Sequence, residues 1–243
     1  MNGQDDYRDQ AVARGLRTDA DVDRLARLQW PVYERLLAPW LPRHHDAAIY
    51  EVACGPGVML RFLRDQGFVN VNGSDSSEYQ VTLARASGFP VTLADSFQEL
   101  KGHADGTWDC LIGIDFLEHL PKESLPPFVA ECHRTLKVGG CLILRLPNGD
   151  SPLVGRNLFN DLTHHWAFTT IALRSLLESR GFEAPLFADE ALASIERQRW
   201  LKVPLMKVAQ ATLRSLIRAA TRETVAYLSP NLFACATKAP PRA

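Results

Sequence analysis

Short apolar runs that suit β-strands alternate along this chain with longer stretches in which apolar residues recur every three or four positions, the spacing of helices that bury one face. Runs at 49–53, 69–75, 91–94, 108–114 and 141–146 predict five strands, a sixth lies near 182–187, and 232–236 is the last. Helical spacing follows at 58–66, around Tyr79–Ala84 and over 125–136, the last closed by Lys137-Val138-Gly139-Gly140, with glycine where a helix C-terminus favours it. Thr170 starts a further helix that runs to Gly181. Strands alternating with helices in this way specify a parallel, doubly wound sheet with right-handed crossovers. No sequence repeat competes with that reading.

Before the first strand, Val22, Leu25, Leu28, Val32, Leu36 and Leu37 fall at helical spacing behind a Thr18/Asp19 cap, with Pro31 a candidate break. Residues 1–18 show little periodicity and read either as an arm that closes over a ligand or as plain disorder. Chain organisation follows: one domain over 1–243, with an arm and helix at 1–44, a core at 45–190, a helical insertion at 191–230 and the last strand at 231–238.

Composition narrows the class. With 243 residues, 46% hydrophobic and 23% charged, the chain is an ordinary globular protein, and no apolar run approaches the roughly 20 residues that span a bilayer. A net charge of −1 argues against a nucleic-acid partner. The five cysteines show no C-x-x-C pair and read as reduced core thiols, and the polar, acidic start over 1–6 lacks the pattern of a secretory leader, so a cytoplasmic setting is expected.

Candidate chemistry gathers where four successive strands end: the loop Ala53-Cys54-Gly55-Pro56-Gly57, Asp75, Asp95 and Asp115. Glycine lets a ligand lie against bare backbone, and an acidic residue ending the second strand reaches ribose hydroxyls. A dinucleotide loop would read G-x-G-x-x-G, yet Val58, Met59 and Leu60 follow Gly57. Glu51, just before the turn, suits a cofactor with a positively charged amino-acid end better than a pyrophosphate.

The order Glu51-x-Ala53-Cys54-Gly55-x-Gly57, Asp75, Asp95-Ser96, Phe116-Leu117-Glu118-His119-Leu120 and Leu136-Lys137-x-Gly139-Gly140 resembles the class I S-adenosylmethionine-dependent methyltransferases over about residues 45–190. Ala53 departs from the family, which usually has glycine there. The resemblance implies a Rossmann-like, mostly parallel seven-stranded sheet, S-adenosyl-L-methionine as cofactor and S-adenosyl-L-homocysteine as product. It also implies that Glu51, Ala53, Cys54, Gly55 and Gly57 pass under the methionine part and that Asp75 holds the ribose with Ser76 beside it. Asp95 and Ser96 would flank the adenine, while Ile114, Asp115 and the residues to His119 would line the methionine end and the mouth of the acceptor site.

Beyond the fifth strand, Asn160-Asp161-Leu162-Thr163-His164-His165-Trp166-Ala167-Phe168-Thr169 is the place to seek a general base, because an alcohol oxygen attacks a methyl well only as its proton leaves. Adjacent side chains of an extended segment face opposite ways, so one histidine is expected to act, and His165 is placed ahead of His164, with Asp161 as orienting partner or base and His119 as a further candidate. This segment is similar to methyltransferases of bacterial polysaccharide and glycolipid gene clusters, which implies a sugar hydroxyl as acceptor. The alternatives are a phenol, amine or carboxylate of a small metabolite, or a cofactor-binding scaffold without turnover. The strand-end aspartates do not cluster as a magnesium site, so no metal is expected. Residues 195–222 carry Arg197, Arg199, Lys202, Lys207, Arg214, Arg218 and Arg222 against Glu196 alone, interleaved with apolar residues. They read as a basic surface for anionic lipid at the inner face of a membrane, or as a lid or dimer face.

Overall fold

The computed structural model describes residues 8, 9, 11–13, 15–190 and 202–240. Its strands are β1 (Ile49–Val52), β2 (Val71–Asp75), β3 (Val91–Leu93), β4 (Trp108–Ile114), β5 (Leu136–Pro147), β6 (Phe182–Asp189) and β7 (Asn231–Lys238). They form one sheet in the order β3-β2-β1-β4-β5-β7-β6. All pairings are parallel except those of β7, which runs antiparallel to both β5 and β6. This is the expected mostly parallel seven-stranded α/β sheet.

Both faces of a parallel sheet are covered, so its strands bury side chains to either side. Ile49 packs with Tyr33, Leu37, Phe62 and Leu63 on one face, beneath α1 (Asp19–Leu36) and α2 (Val58–Asp65). Tyr50 and Val52 pack with Phe128, Val129, Leu173 and Leu177 on the other, beneath α5 (Leu125–Thr135) and α7 (Thr170–Glu178). Helices α3 (Glu78–Ala86) and α4 (Ser96–Gly102) follow β2 and β3. A short α6 (Gly155–Phe159) and the long α8 (Lys202–Thr221) complete the set.

Two local readings are corrected. Pro31 does not break α1, which runs through it to Leu36 behind a capping box of Thr18 and Asp21. The loss of one backbone bond is outweighed where Val32 and Tyr33 bury against the core on the next turn. Gly139-Gly140 is not a helix C-cap but part of β5, which begins at Leu136. A Cβ on Gly140 would stand 2.9 Å from the Lys137 carbonyl oxygen and 3.0 Å from that of Asp109, so close backbone approach at an irregular strand pairing is what requires glycine.

All five cysteines are free. Among the described residues, no helix is long and apolar enough to cross a membrane. The predicted insertion appears as α8, with Leu205, Val208 and Leu216 exposed, whereas Arg197 and Arg199 lie outside the described residues. Of the N-terminal arm, Ala11 and Leu16 are buried, and the Leu16 carbonyl accepts from the Tyr79 hydroxyl at 2.9 Å. The register pairs Val52 with both Ser74 and Gly113, so the ends of β1, β2 and β4 lie side by side and their loops open on one edge.

Candidate active site

The loop after β1 is held open by its neighbours. Ala53 sits at φ 49° and Gly55 at φ 54°, both left-handed, so the backbone turns sharply away from the strand. The Ala53 N–H donates to Ser96 Oγ at 2.9 Å, and Cys54 N–H donates to the Ser74 carbonyl at 2.9 Å. Beneath them runs a buried relay in which Tyr50 Oη donates to Ser74 Oγ at 2.7 Å and Ser74 Oγ to Ser96 Oγ at 2.9 Å. Ser96 in turn donates to the Ser74 carbonyl at 3.2 Å. With one donation and two acceptances its hydroxyl is fully used. Ser96 therefore lines the cavity as a loop anchor, not as an adenine ligand through its hydroxyl.

Asp75 fastens the same loop from the second strand. Its Oδ2 accepts from Gly55 N–H at 2.8 Å and its Oδ1 from Ser77 N–H at 2.8 Å. Burial raises its pKa, and those two N–H groups work against the rise. Each oxygen retains a lone pair, so the carboxylate can accept two ribose hydroxyls as well. Asp95 caps α4 by accepting from Gln98 N–H at 2.9 Å.

These groups share a cavity of about 400 Å³ whose wall includes Glu51, Ala53, Cys54, Gly55, Asp75, Ser76, Asp95, Ser96, Ile114 and Asp115, with Ala11 and Leu16 from the arm. Of the predicted floor, Gly57 alone is off the wall, where it starts α2 in a left-handed conformation (φ 84°). Glu51 is 3% exposed, its Oε2 has no partner, and burial followed by the charge of Asp75 pushes its carboxyl well above the usual range. A buried acid of this kind calls for a cation. The ammonium of a methionine group answers that need, and the glycine loop gives the close backbone approach, so these residues fit S-adenosylmethionine.

Asp115 stands on the cavity wall, tied down from the adjacent strand. It stands at φ 52° and its carboxylate is held by the Arg145 guanidinium, which also reaches Glu190 at 3.2 Å. Burial opposes the charge on Arg145, but Asp115 and Glu190 outweigh it and raise the pKa further. Arg145 was not singled out by sequence, although an arginine inside the apolar run 141–146 was a visible signal.

The far end of the cavity gathers Glu118, His119, Asp161 and His164. A 3₁₀ turn, Leu117–His119, presents the first two, and the segment 160–166 folds against it. His165 N–H donates to the Glu118 carbonyl at 2.8 Å, and Trp166 Nε1 to that of Leu120 at 3.2 Å. Glu118 is 1% exposed with Oε2 unpartnered, and burial, then Asp115, pushes its carboxyl well up. His119 and His164 meet edge to face with centroids 4.6 Å apart, and burial, then His164, lowers His119 to about 4. His119 Nδ1 lies 2.9 Å from Thr163 Oγ1, which donates to Asp161 Oδ1 at 2.7 Å. Burial acts to raise Asp161, and the Thr163 hydroxyl and N–H reverse it to a lowered value. His165 is exposed and absent from the cavity wall, so the backbone turn selects His164 over the histidine favoured from sequence.

The sheet order and the loop floor define the class I methyltransferase fold. Residues 50–144 match the family described as "Methyltransferase domain", which together with the sheet order supports a class I S-adenosylmethionine-dependent methyltransferase core. Methyltransferase-like protein 27 of Homo sapiens is 32% identical over 113 residues, which cover 45% of this chain and 44% of that protein. A Mycolicibacterium smegmatis protein named "Probable S-adenosylmethionine-dependent methyltransferase" is 28% identical over 152 residues, 63% of this chain and 56% of its own. The chain thus spans about half the length of these relatives. Among solved structures, a SAM-dependent methyltransferase from Archaeoglobus fulgidus aligns with a TM-score of 0.68 at 20% identity, covering 88% of this chain and 94% of that one. Phosphoethanolamine N-methyltransferase 2 of Haemonchus contortus, in complex with S-adenosyl-L-methionine, aligns at 0.63 and 14%, covering 96% and 60%.

Proposed function

We propose that the chain transfers the methyl group of S-adenosylmethionine to a hydroxyl, with a sugar as the acceptor class. One observation carries this reading: a single cavity joins the Glu51 and Asp75 floor to an ionisable cluster of buried Glu118 with half-buried His119, Asp161 and His164. The bound cofactor supplies an electrophilic methyl on a sulfonium. The protein's task is to hold the acceptor oxygen in line with it and to let the hydroxyl proton go.

His164 Nδ1 lies 3.0 Å from the Asn157 carbonyl oxygen, so that nitrogen carries a proton and Nε2 is the nitrogen left for the acceptor. A low pKa keeps His119 neutral at physiological pH. A neutral imidazole at His119, beside carboxylates, suits an alcohol, whose proton must leave as its oxygen attacks, whereas a neutral amine can attack unaided.

A panel of nucleotide sugars and monosaccharides, set beside phenols, carboxylates and amines, tests the reading by mass spectrometry. A single-methyl mass gain on a sugar, together with S-adenosylhomocysteine, is the expected result. Methylation confined to amines would replace it with the N-methyltransferase reading that the Haemonchus neighbour suggests, and cofactor binding with no product from any class would favour a scaffold.

A further inference from the structure

The acceptor end of the cavity holds more than a proton acceptor needs. One ligand-type atom from each of Glu118, His119 and His164 lies within 4.8 Å of the other two. Glu118 Oε2 is buried without a hydrogen bond, in a wall where water or a ligand can reach the neighbouring side chains. An acid this deep, with no donor offered to that oxygen, is costly unless a cation meets it.

Both imidazoles are also oriented from behind. His164 is bonded through Nδ1 to the Asn157 carbonyl, and His119 through Nδ1 to Thr163 Oγ1, itself anchored on Asp161. Metal-binding histidines carry such an outer partner on the nitrogen that does not ligate, which fixes the tautomer and aims Nε2. The pattern is thus two aimed imidazoles and one unsatisfied carboxylate.

We propose that Glu118, His119 and His164 form a binding site for a divalent first-row transition metal ion, which rests on the hydroxyl-methylating reading and deepens it. Nitrogen ligands favour zinc, manganese, iron or cobalt over magnesium and calcium, which take oxygen. Ligands at about 2.1 Å from a common ion stand roughly 3 Å or more apart, so closure from the present spacing is on the order of an ångström. Three protein ligands leave positions open, and an acceptor hydroxyl entering one of them loses its proton to water at a lowered pKa. The oxygen's electron pair then forms the new C–O bond while sulfur keeps the S–C pair, so the histidines serve as ligands in place of a general base. This departs from the expectation that the enzyme needs no metal. Strand-end aspartates suggested no site because the ligands come from a 3₁₀ turn and a distant loop.

The test uses the full chain freed of metal with chelator, then titrated with Zn²⁺ and Mn²⁺ by calorimetry and with Co²⁺ by visible absorption. One equivalent should bind. His164→Asn and Glu118→Gln should each weaken binding at least tenfold, and Thr163→Val, which removes only the outer partner of His119, about tenfold. S-adenosylhomocysteine affinity should stay within twofold in His164→Asn and Thr163→Val, which reports a folded cofactor site if Glu118→Gln does not fold. Binding well below one equivalent, or an affinity that His164→Asn leaves unchanged, overturns the metal site. S-adenosylhomocysteine binding without metal binding would sink this inference alone, and stoichiometric metal with no methylated product from any acceptor would sink the methyltransferase reading while the site stands.

Discussion

The two ends of the cavity are built on opposite plans. At the cofactor end the loop is already tied within the protein: Ser96 is saturated and Asp75 clamps two N–H groups, while the Glu51 carboxyl is left without a partner. These groups stand on parallel strand ends whose register is fixed by a sheet buried on both faces. At the acceptor end the side chains stand on a 3₁₀ turn and a loop, and Glu118 and the imidazoles cluster with polar capacity directed at one another. The cofactor end is thus a property of the scaffold, whereas the far end of the cavity is assembled by packing two non-sheet segments together.

That contrast is open to attack, beginning with the largest expected effect. His164→Asn should lower turnover by about 10²–10⁴-fold with S-adenosylhomocysteine affinity within twofold, measured as kcat against calorimetric Kd. A parallel loss of cofactor affinity would show that the two ends are not separate. Asp75→Ala removes hydrogen bonds to a charged acceptor worth about 1.5–3 kcal/mol each, so S-adenosylhomocysteine binding should weaken by about 10²-fold or more. Unchanged affinity would end the ribose assignment.

Glu51→Gln tests the partnerless carboxyl at the cofactor end. The raised carboxyl keeps its proton in the folded cofactor-free protein while the unfolded chain releases it above about 4.5, so wild-type stability falls as pH rises from there toward the folded pKa. Glutamine removes that slope. Melting followed from pH 5 to pH 8 should show a flatter, higher profile for the variant without ligand, together with about tenfold weaker S-adenosylhomocysteine binding. A slope unchanged by the substitution would remove Glu51 as its source.

Ala53→Gly relieves a left-handed residue of its Cβ, worth about 1 kcal/mol, and should raise the melting temperature by about 2–4 °C. The smallest effect belongs to His165→Ala, for which kcat should change less than about twofold, since groups without a transition-state contact contribute little. A large loss there would restore the histidine favoured by sequence.

Much of the donor side was legible beforehand because it depends on local order. A strand, a small-residue turn and a helix in succession, with acids ending the next strands, leave few arrangements once a parallel sheet is granted, and Glu51, Asp75 and Asp95 all reached the cavity. Asp115 reached it too, but tied to Arg145, a partner thirty residues along on the adjacent strand. Pro31 and Gly139-Gly140 were misread for a related reason: tertiary burial carried α1 through its proline, and a tight strand pairing drew the glycines into β5.

By itself, then, the sequence determined the alternation of strands and helices, the strand-end loop and the chemistry offered to a positively charged cofactor, because periodicity and chirality leave a parallel sheet little freedom. Only the tertiary structure decided that the Ser96 hydroxyl anchors the loop, that His164 and not its neighbour enters the cavity, and that His119 and Glu118 meet it there. Those outcomes depend on where residues more than twenty positions apart come to rest. A loop's side-chain directions are set by its contacts, here the bond from His165 N–H to the Glu118 carbonyl, and not by any period in its own residues.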